Sequence, residues 1–221
     1  MTDLMPVKVK VCGVTDPANA LAAVELGADY LGLNFYPGSP RFVEAGRALE
    51  IAGAVAGRVP LVGVFVNASA AEVEEIAGRV GLDLVQFSGD EGPETVAPFA
   101  ERAIKAFRTG GTGGLPGREE IAAYGAVWGV LVDSCHGSLY GGTGAAWDYG
   151  SLSGDLPGNM PERLFLAGGL GPDNVRRAVE SARPFAIDVC SRVESAPGVK
   201  DLELLRRLFL EVRHGQTQNP S

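Results

Sequence analysis

The chain has 221 residues, 46% of them hydrophobic, and a formal net charge of −8. That is enough apolar material for one sizeable core, which speaks against disorder, while the acidic balance makes nucleic acid and anionic membranes poor partners. Three widely spaced cysteines without a CxxC pair argue against a disulfide framework and a structural zinc site, and they suit a reducing cytosol. The N-terminal residues carry neither a basic nor an apolar leader region, and no run of about 18 apolar residues is present to span a bilayer.

Val7 to Thr15, VKVKVCGVT, alternates apolar and polar residues and stops at Gly13, which reads as a β-strand with Cys12 at its C-terminal end. Asp16 and Pro17 start a helix that Gly27 closes. Strands follow over Tyr30 to Phe35 and Leu61 to Val66, separated by a helix from Ala45 to Ala56. Ser69 and Glu72 have capping-box spacing and open the next helix. Leu84 to Phe87 is the fourth strand, a helix is expected from about Pro93 to Arg102, and Ala103 to Phe107 is the fifth strand. A glycine-rich loop from Thr109 to Gly117 and a short helix near Glu119 to Tyr124 lead into a sixth strand, Val127 to Val132, ending at Asp133. Residues 134–161 are rich in Gly, Ser and Pro, with no legible helix. Leu164 to Ala167 and Phe185 to Val189 are the last strands, with a helix beginning near Pro172 between them. Asp201 to Val212 is the final helix, and the tail beyond His214 reads as frayed.

Eight strands alternating with helices at a pitch of roughly 25 residues match a single-domain (β/α)8 TIM barrel, an α/β fold. Irregular segments replace helices after strands five and six. Residues 1–213 form the domain and 214–221 the tail. A doubly wound open sheet is the rival, since short apolar strands do not distinguish closed from open sheets. Strand count and chain length favour closure, and neither GxGxxG nor GK[ST] follows any glycine run.

Barrel enzymes place their chemistry at the C-terminal ends of the strands. Here those ends carry Cys12, Asn34 with the loop to Arg41, Asn67, Ser88-Gly89-Asp90, Arg108, Asp133, Gly168-Gly169 and Asp188. Gly168 and Gly169 lie in a strand-to-helix turn of the kind that holds phosphate through backbone N–H groups, with Cys190-Ser191-Arg192 as a second wall. Cys12 is either a packed thiol or a reactive one. Asp133 is either a loop-start residue or an acid. Facing each other across a barrel mouth, they would suit proton removal from carbon and proton donation to oxygen. Arg41 is a clamp for a carboxylate or a solvated loop residue.

Taken together, Lys10-Val11-Cys12-Gly13-Val14-Thr15, Ser39-Pro40-Arg41, residues 85–91 (VQFSGDE), Asp133-Ser134, Gly141-Gly142-Thr143-Gly144, residues 166–170 (LAGGL) and residues 188–201 resemble the phosphoribosylanthranilate isomerase family of tryptophan biosynthesis. The resemblance implies an Amadori rearrangement of a small phosphosugar substrate without cofactor or metal, in the cytoplasm, by a monomer or homodimer. It implies that Asp133 is the general acid and Cys12 the general base. Arg41 would hold the anthranilate carboxylate and Asp188 the ribose. Gly168, Gly169 and Ser191 would hold the phosphate, with Gly142, Thr143 and Gly144 in a loop near the site. The chain departs from the family pattern at Ser88, where histidine is usual, and at Arg192, where a small residue is common. Cys190 and Ala145 also stand where other residues are common. A paralogue for a related phosphosugar amine and a non-catalytic phosphosugar-binding barrel are the alternatives.

Overall fold

A computed structural model describes residues 6–108, 116–133 and 162–217. Eight parallel strands close on themselves in sequence order, with β1 (Lys8–Cys12) completing the circle against β8 (Ala186–Val189). Between them run β2 (Tyr30–Asn34), β3 (Leu61–Phe65), β4 (Leu84–Phe87), β5 (Ala103–Arg108), β6 (Gly129–Asp133) and β7 (Leu164–Ala167). The closed barrel is the expected fold, and the open-sheet rival is excluded by the β1–β8 pairing, Val9 beside Ile187 and Lys10 beside Asp188.

Local signals explain most helix ends. Asp16 accepts from the backbone N–H groups of Ala18 and Asn19 at the start of α1 (Pro17–Leu26), and Gly27 ends it in the left-handed region. After α2 (Ala45–Val55), the Ser69–Glu72 capping box opens α3 (Ala70–Val80) as expected.

Four boundaries differ from expectation. The helix expected from Pro93 to Arg102 is one α turn, α4 (Pro93–Val96), followed by a 3-10 segment, Ala97–Arg102, since Pro98 brings no N–H to an α-helical ladder. The helix expected near Pro172 begins later, as α6 (Val175–Ala182). Asn174 holds the preceding residues in a turn by accepting from Gly171 N and donating to Gly169 O, both at 2.8 Å. The sixth strand begins at Gly129 because Trp128 turns aside to pack against Tyr30, Phe165 and Phe185 at the barrel floor. The final helix, α7 (Leu202–Thr217), runs past Val212 and His214, and Gln216 Nε2 donates to Val7 O. A five-residue α5 (Arg118–Ala122) follows β5, while the loop after β6 lies outside the described residues.

Alternate strand residues face two separate cores. Val9, Val11, Leu31, Leu33 and Val85 point outward into the layer between strands and helices. Tyr30, Val62, Leu84, Ile104, Leu131 and Phe165 point inward and fill the barrel. In β1 the inward face is polar. Lys8 lies over the Tyr30 and Phe185 rings, Lys10 is fully buried above it, and Cys12 tops the column. A small hairpin, β9 (Glu194–Ala196) with β10 (Val199–Lys200), follows β8 and was not legible in the sequence.

Candidate active site

A cavity of about 430 Å³ opens where the strands end. Of the residues singled out from sequence, Cys12, Arg41, Asp133, Asp188, Gly168, Gly169 and Ser191 all line it. Gly142, Thr143 and Gly144 lie outside the described residues, as does Ala145.

Cys12 owes its setting to small neighbours and buried cations. A methyl group at Gly32, the in-register residue of β2, would stand 2.7 Å from Cys12 Sγ and 3.1 Å from Lys10 Nζ, so the glycine makes room for both. Gly13 takes φ +70°, and a side chain there would meet Arg41 and the Cys190 thiol. Lys200, from β10, reaches under the site and donates to Cys12 O and to Glu194. The thiol of Cys12 is held well below its ordinary range, first by a hydrogen bond from Cys190, against burial, and then by the charges of Lys10 and Lys200. The linear chain offered no source of thiolate stabilisation. The fold supplies it from the residue that follows β8, from β1 and from β10.

Lys10 and Asp188 form a buried ion pair at 2.9 Å. Burial pushes Asp188 up to about 7, against the attraction of Lys10, and the nearby Cys12 and Asp133 charges add to the rise. Lys10 is raised as well. Burial alone would lower it, but Asp188 and Cys12 outweigh that cost. Asp133 ends β6 in register with Arg108 of β5 and Ala167 of β7.

Arg41 meets more than the sequence suggested. Its Nε and Nη2 grip the Glu194 carboxylate in a fork at 2.7–3.0 Å. Against burial, Arg41 and Lys200 hold Glu194 below the ordinary carboxylate range. The guanidinium carries five N–H groups, so donors remain for a ligand in the cavity. The turn after β7 is left-handed, with Gly168 at φ +99° and Gly169 at +58°, and Asn174 braces it from behind. Arg192, a candidate for the same wall, instead pairs with Asp173 at 2.6 Å and does not line the cavity.

Three polar residues were missed. Lys10 was read only as the polar half of an alternating strand, and Lys200 and Gln86 carried no signal beyond their motifs. Gln86 of β4 is 4% exposed and lines the cavity. Its Nε2 donates to Ser88 Oγ at 2.9 Å, and its Oε1 has no hydrogen-bond partner. Ser88 thus stays at the cavity wall. Farther back, the buried Lys105–Glu91 pair fixes the loop after β4, where Glu91 accepts from Asn67 N and Gly89 N.

Fold and site together define a TIM-barrel enzyme whose titratable groups converge at the C-terminal strand ends. Residues 9–211 match the family model for N-(5'phosphoribosyl)anthranilate (PRA) isomerase, and the chain belongs to that family. It is 43% identical over 211 residues to the N-(5'-phosphoribosyl)anthranilate isomerase of Halorhodospira halophila, an alignment covering 96% of this chain and 99% of that one. The crystal structure of phosphoribosyl anthranilate isomerase from Thermotoga maritima superposes with a TM-score of 0.83 at 34% identity, covering 94% and 99% of the two chains. A further isomerase structure was solved in complex with reduced 1-(o-carboxyphenylamino)-1-deoxyribulose 5-phosphate. It has a TM-score of 0.78 at 33% identity and covers 94% and 99% of the two chains.

Proposed function

We propose that this chain isomerises N-(5'-phosphoribosyl)anthranilate to 1-(2-carboxyphenylamino)-1-deoxyribulose 5-phosphate in tryptophan biosynthesis, with Asp133 as acid and Cys12 as base. The observation that carries the roles is that one cavity holds a cation-flanked thiol on β1, a carboxyl group on β6 and a left-handed glycine turn after β7.

Asp133 gives its proton to the ribose ring oxygen as the C1'–O bond breaks, and the nitrogen lone pair closes an iminium. The Cys12 thiolate takes the proton from C2', whose electrons flow to nitrogen and leave an enolamine. Gain of a proton at C1' and loss of the 2'-hydroxyl proton give the ketone. Cys190, and after it Lys10 and Lys200, favour the ionised Cys12 for the second step. The Gly168-Gly169 turn and Ser191 hold the phosphate, the free donors of Arg41 face the anthranilate carboxylate, and Asp188 faces the ribose hydroxyls. The reaction needs only these side chains. Among the described residues no helix is long and apolar enough to cross a membrane, in keeping with a cytoplasmic small-molecule enzyme.

Loss of substrate fluorescence on turnover is the assay. Cys12→Ser and Asp133→Asn should each lower kcat by about 10²-fold or more. Undiminished turnover in both folded variants would overturn the roles. Ser88 at the cavity wall favours a second reading, a paralogue for a related phosphosugar amine, which predicts no turnover of the anthranilate substrate at saturation.

A further inference from the structure

The structure assigns Cys12 and Cys190 as a site of oxidative modification, where a peroxide converts the two thiols into a disulfide across the β1–β8 seam. No bond-making or proton-transfer step of the proposed isomerisation is assigned to Cys190. The β1–β8 register pairs Val9 with Ile187, Lys10 with Asp188 and, last, Val11 with Val189, and Cys12 and Cys190 are the residues that directly follow this final pair. Neighbouring strands lie about 4.8 Å apart, inside the ~4.4–6.8 Å between Cα atoms that a disulfide spans. The Lys10–Asp188 pair, one layer below, shows that in-register side chains here turn to the same side and touch. Cys190 reaches over Gly13, whose missing side chain would stand 3.0 Å from its sulfur, and its thiol lies 3.9 Å from Glu194 Oε1, the carboxylate that Lys200 joins to the Cys12 carbonyl. Both line the open cavity, so a small oxidant reaches them.

The neighbouring charges suit the chemistry. The neighbouring Cys190, and then Lys10 and Lys200, favour Cys12 as the thiolate, while Cys12 and burial keep Cys190 protonated. The Cys12 thiolate attacks one oxygen of hydrogen peroxide. The O–O bond breaks, hydroxide leaves and takes a proton, and Cys12 becomes a sulfenic acid. Cys190 loses its proton to water and attacks that sulfur. The S–S bond forms and the second hydroxide leaves as water. Two thiols thus supply two electrons, and one peroxide becomes two waters. The disulfide removes the proposed base, so the functional consequence rests on the isomerase reading, whereas the crosslink does not. Substrate in the cavity covers both thiols and should slow the oxidation.

The test is non-reducing peptide mapping by mass spectrometry of the full chain after graded hydrogen peroxide, alongside turnover. The expected result is a Cys12–Cys190 crosslinked peptide that accumulates as turnover falls by about 10²-fold, with dithiothreitol restoring both. Cys190→Ser, measured against its own untreated rate, should lose recovery after long exposure, because an unresolved sulfenic acid passes on to sulfinic acid. Loss of turnover without this crosslink, a Cys12–Cys135 crosslink in its place, or full recovery of Cys190→Ser would overturn the proposal. A crosslink that leaves turnover intact upholds the modification and overturns the base role of Cys12.

Discussion

Gly32→Ala is the smallest change that should separate catalysis from folding. The added methyl would stand 2.7 Å from Cys12 Sγ, 3.0 Å from Cys12 Cα and 3.1 Å from Lys10 Nζ. Carbon atoms in contact sit ~3.5–4.0 Å apart, so the sulfur must give about 1 Å. The Cα of Cys12 is held by its pairing to Gly32 of β2, and Val11 before it pairs to both β2 and β8, which leaves the thiol and the lysine head as the groups that move. Overpacking of this kind costs about 1–3 kcal/mol, which a barrel of this size survives. A base displaced by about 1 Å costs on the order of 10²-fold in rate, or about 2.7 kcal/mol of barrier. In the proposed role the thiol acts on a carbon-bound proton rather than anchoring the substrate, so kcat should fall and KM should hold. Gly53→Ala is the control, since Gly53 lies inside α2 with nothing within 4 Å of the added methyl. It should stabilise by roughly 0.5–1 kcal/mol with kcat unchanged. Steady-state kinetics and thermal unfolding on both variants decide the matter. Gly32→Ala with the parental kcat would refute the placement of Cys12 as the base.

Gln86→Met removes a buried carbonyl oxygen that has no partner, so the variant should unfold at an equal or higher temperature while kcat/KM drops about tenfold or more. A variant that is destabilised and fully active would show that the oxygen serves folding and not the ligand. Asp188 is raised to about 7 from an ordinary 3.8, so its contribution to stability is complete below about pH 4 and is lost as pH rises through 7. Relative to Asp188→Asn, the parent should therefore lose thermal stability across that window, and parallel melting curves for the two would contradict the buried setting of the pair. Lys10→Met withdraws a charge that favours the Cys12 thiolate, so the acid limb of the kcat/KM profile should move to higher pH. An unmoved limb would leave Cys190 and Lys200 as the groups that set the thiol.

The sequence by itself determined the barrel and its rim. Eight short apolar strands, their glycine and proline boundaries and the Ser69–Glu72 capping box are local features, and local features survive projection onto a line. So does the rule that strand ends carry the chemistry, which brought Cys12, Asp133, Asp188 and the Gly168-Gly169 turn onto one list before any packing was known. Local patterns failed where a neighbour far along the chain decided the outcome. The alternation in VKVKV is equally compatible with lysines in solvent and lysines inside, and only closure of β1 against β8 buries Lys10 on Asp188. Arg41 looked free for a carboxylate until the hairpin after β8 brought Glu194 to it from 153 residues away. Lys200 reaches the Cys12 carbonyl across 188 residues. A thiol's charge state depends on burial and on the cations within a few ångströms, quantities that exist only in three dimensions. The chain named Cys12, and the closed barrel gave it the surroundings that favour its thiolate.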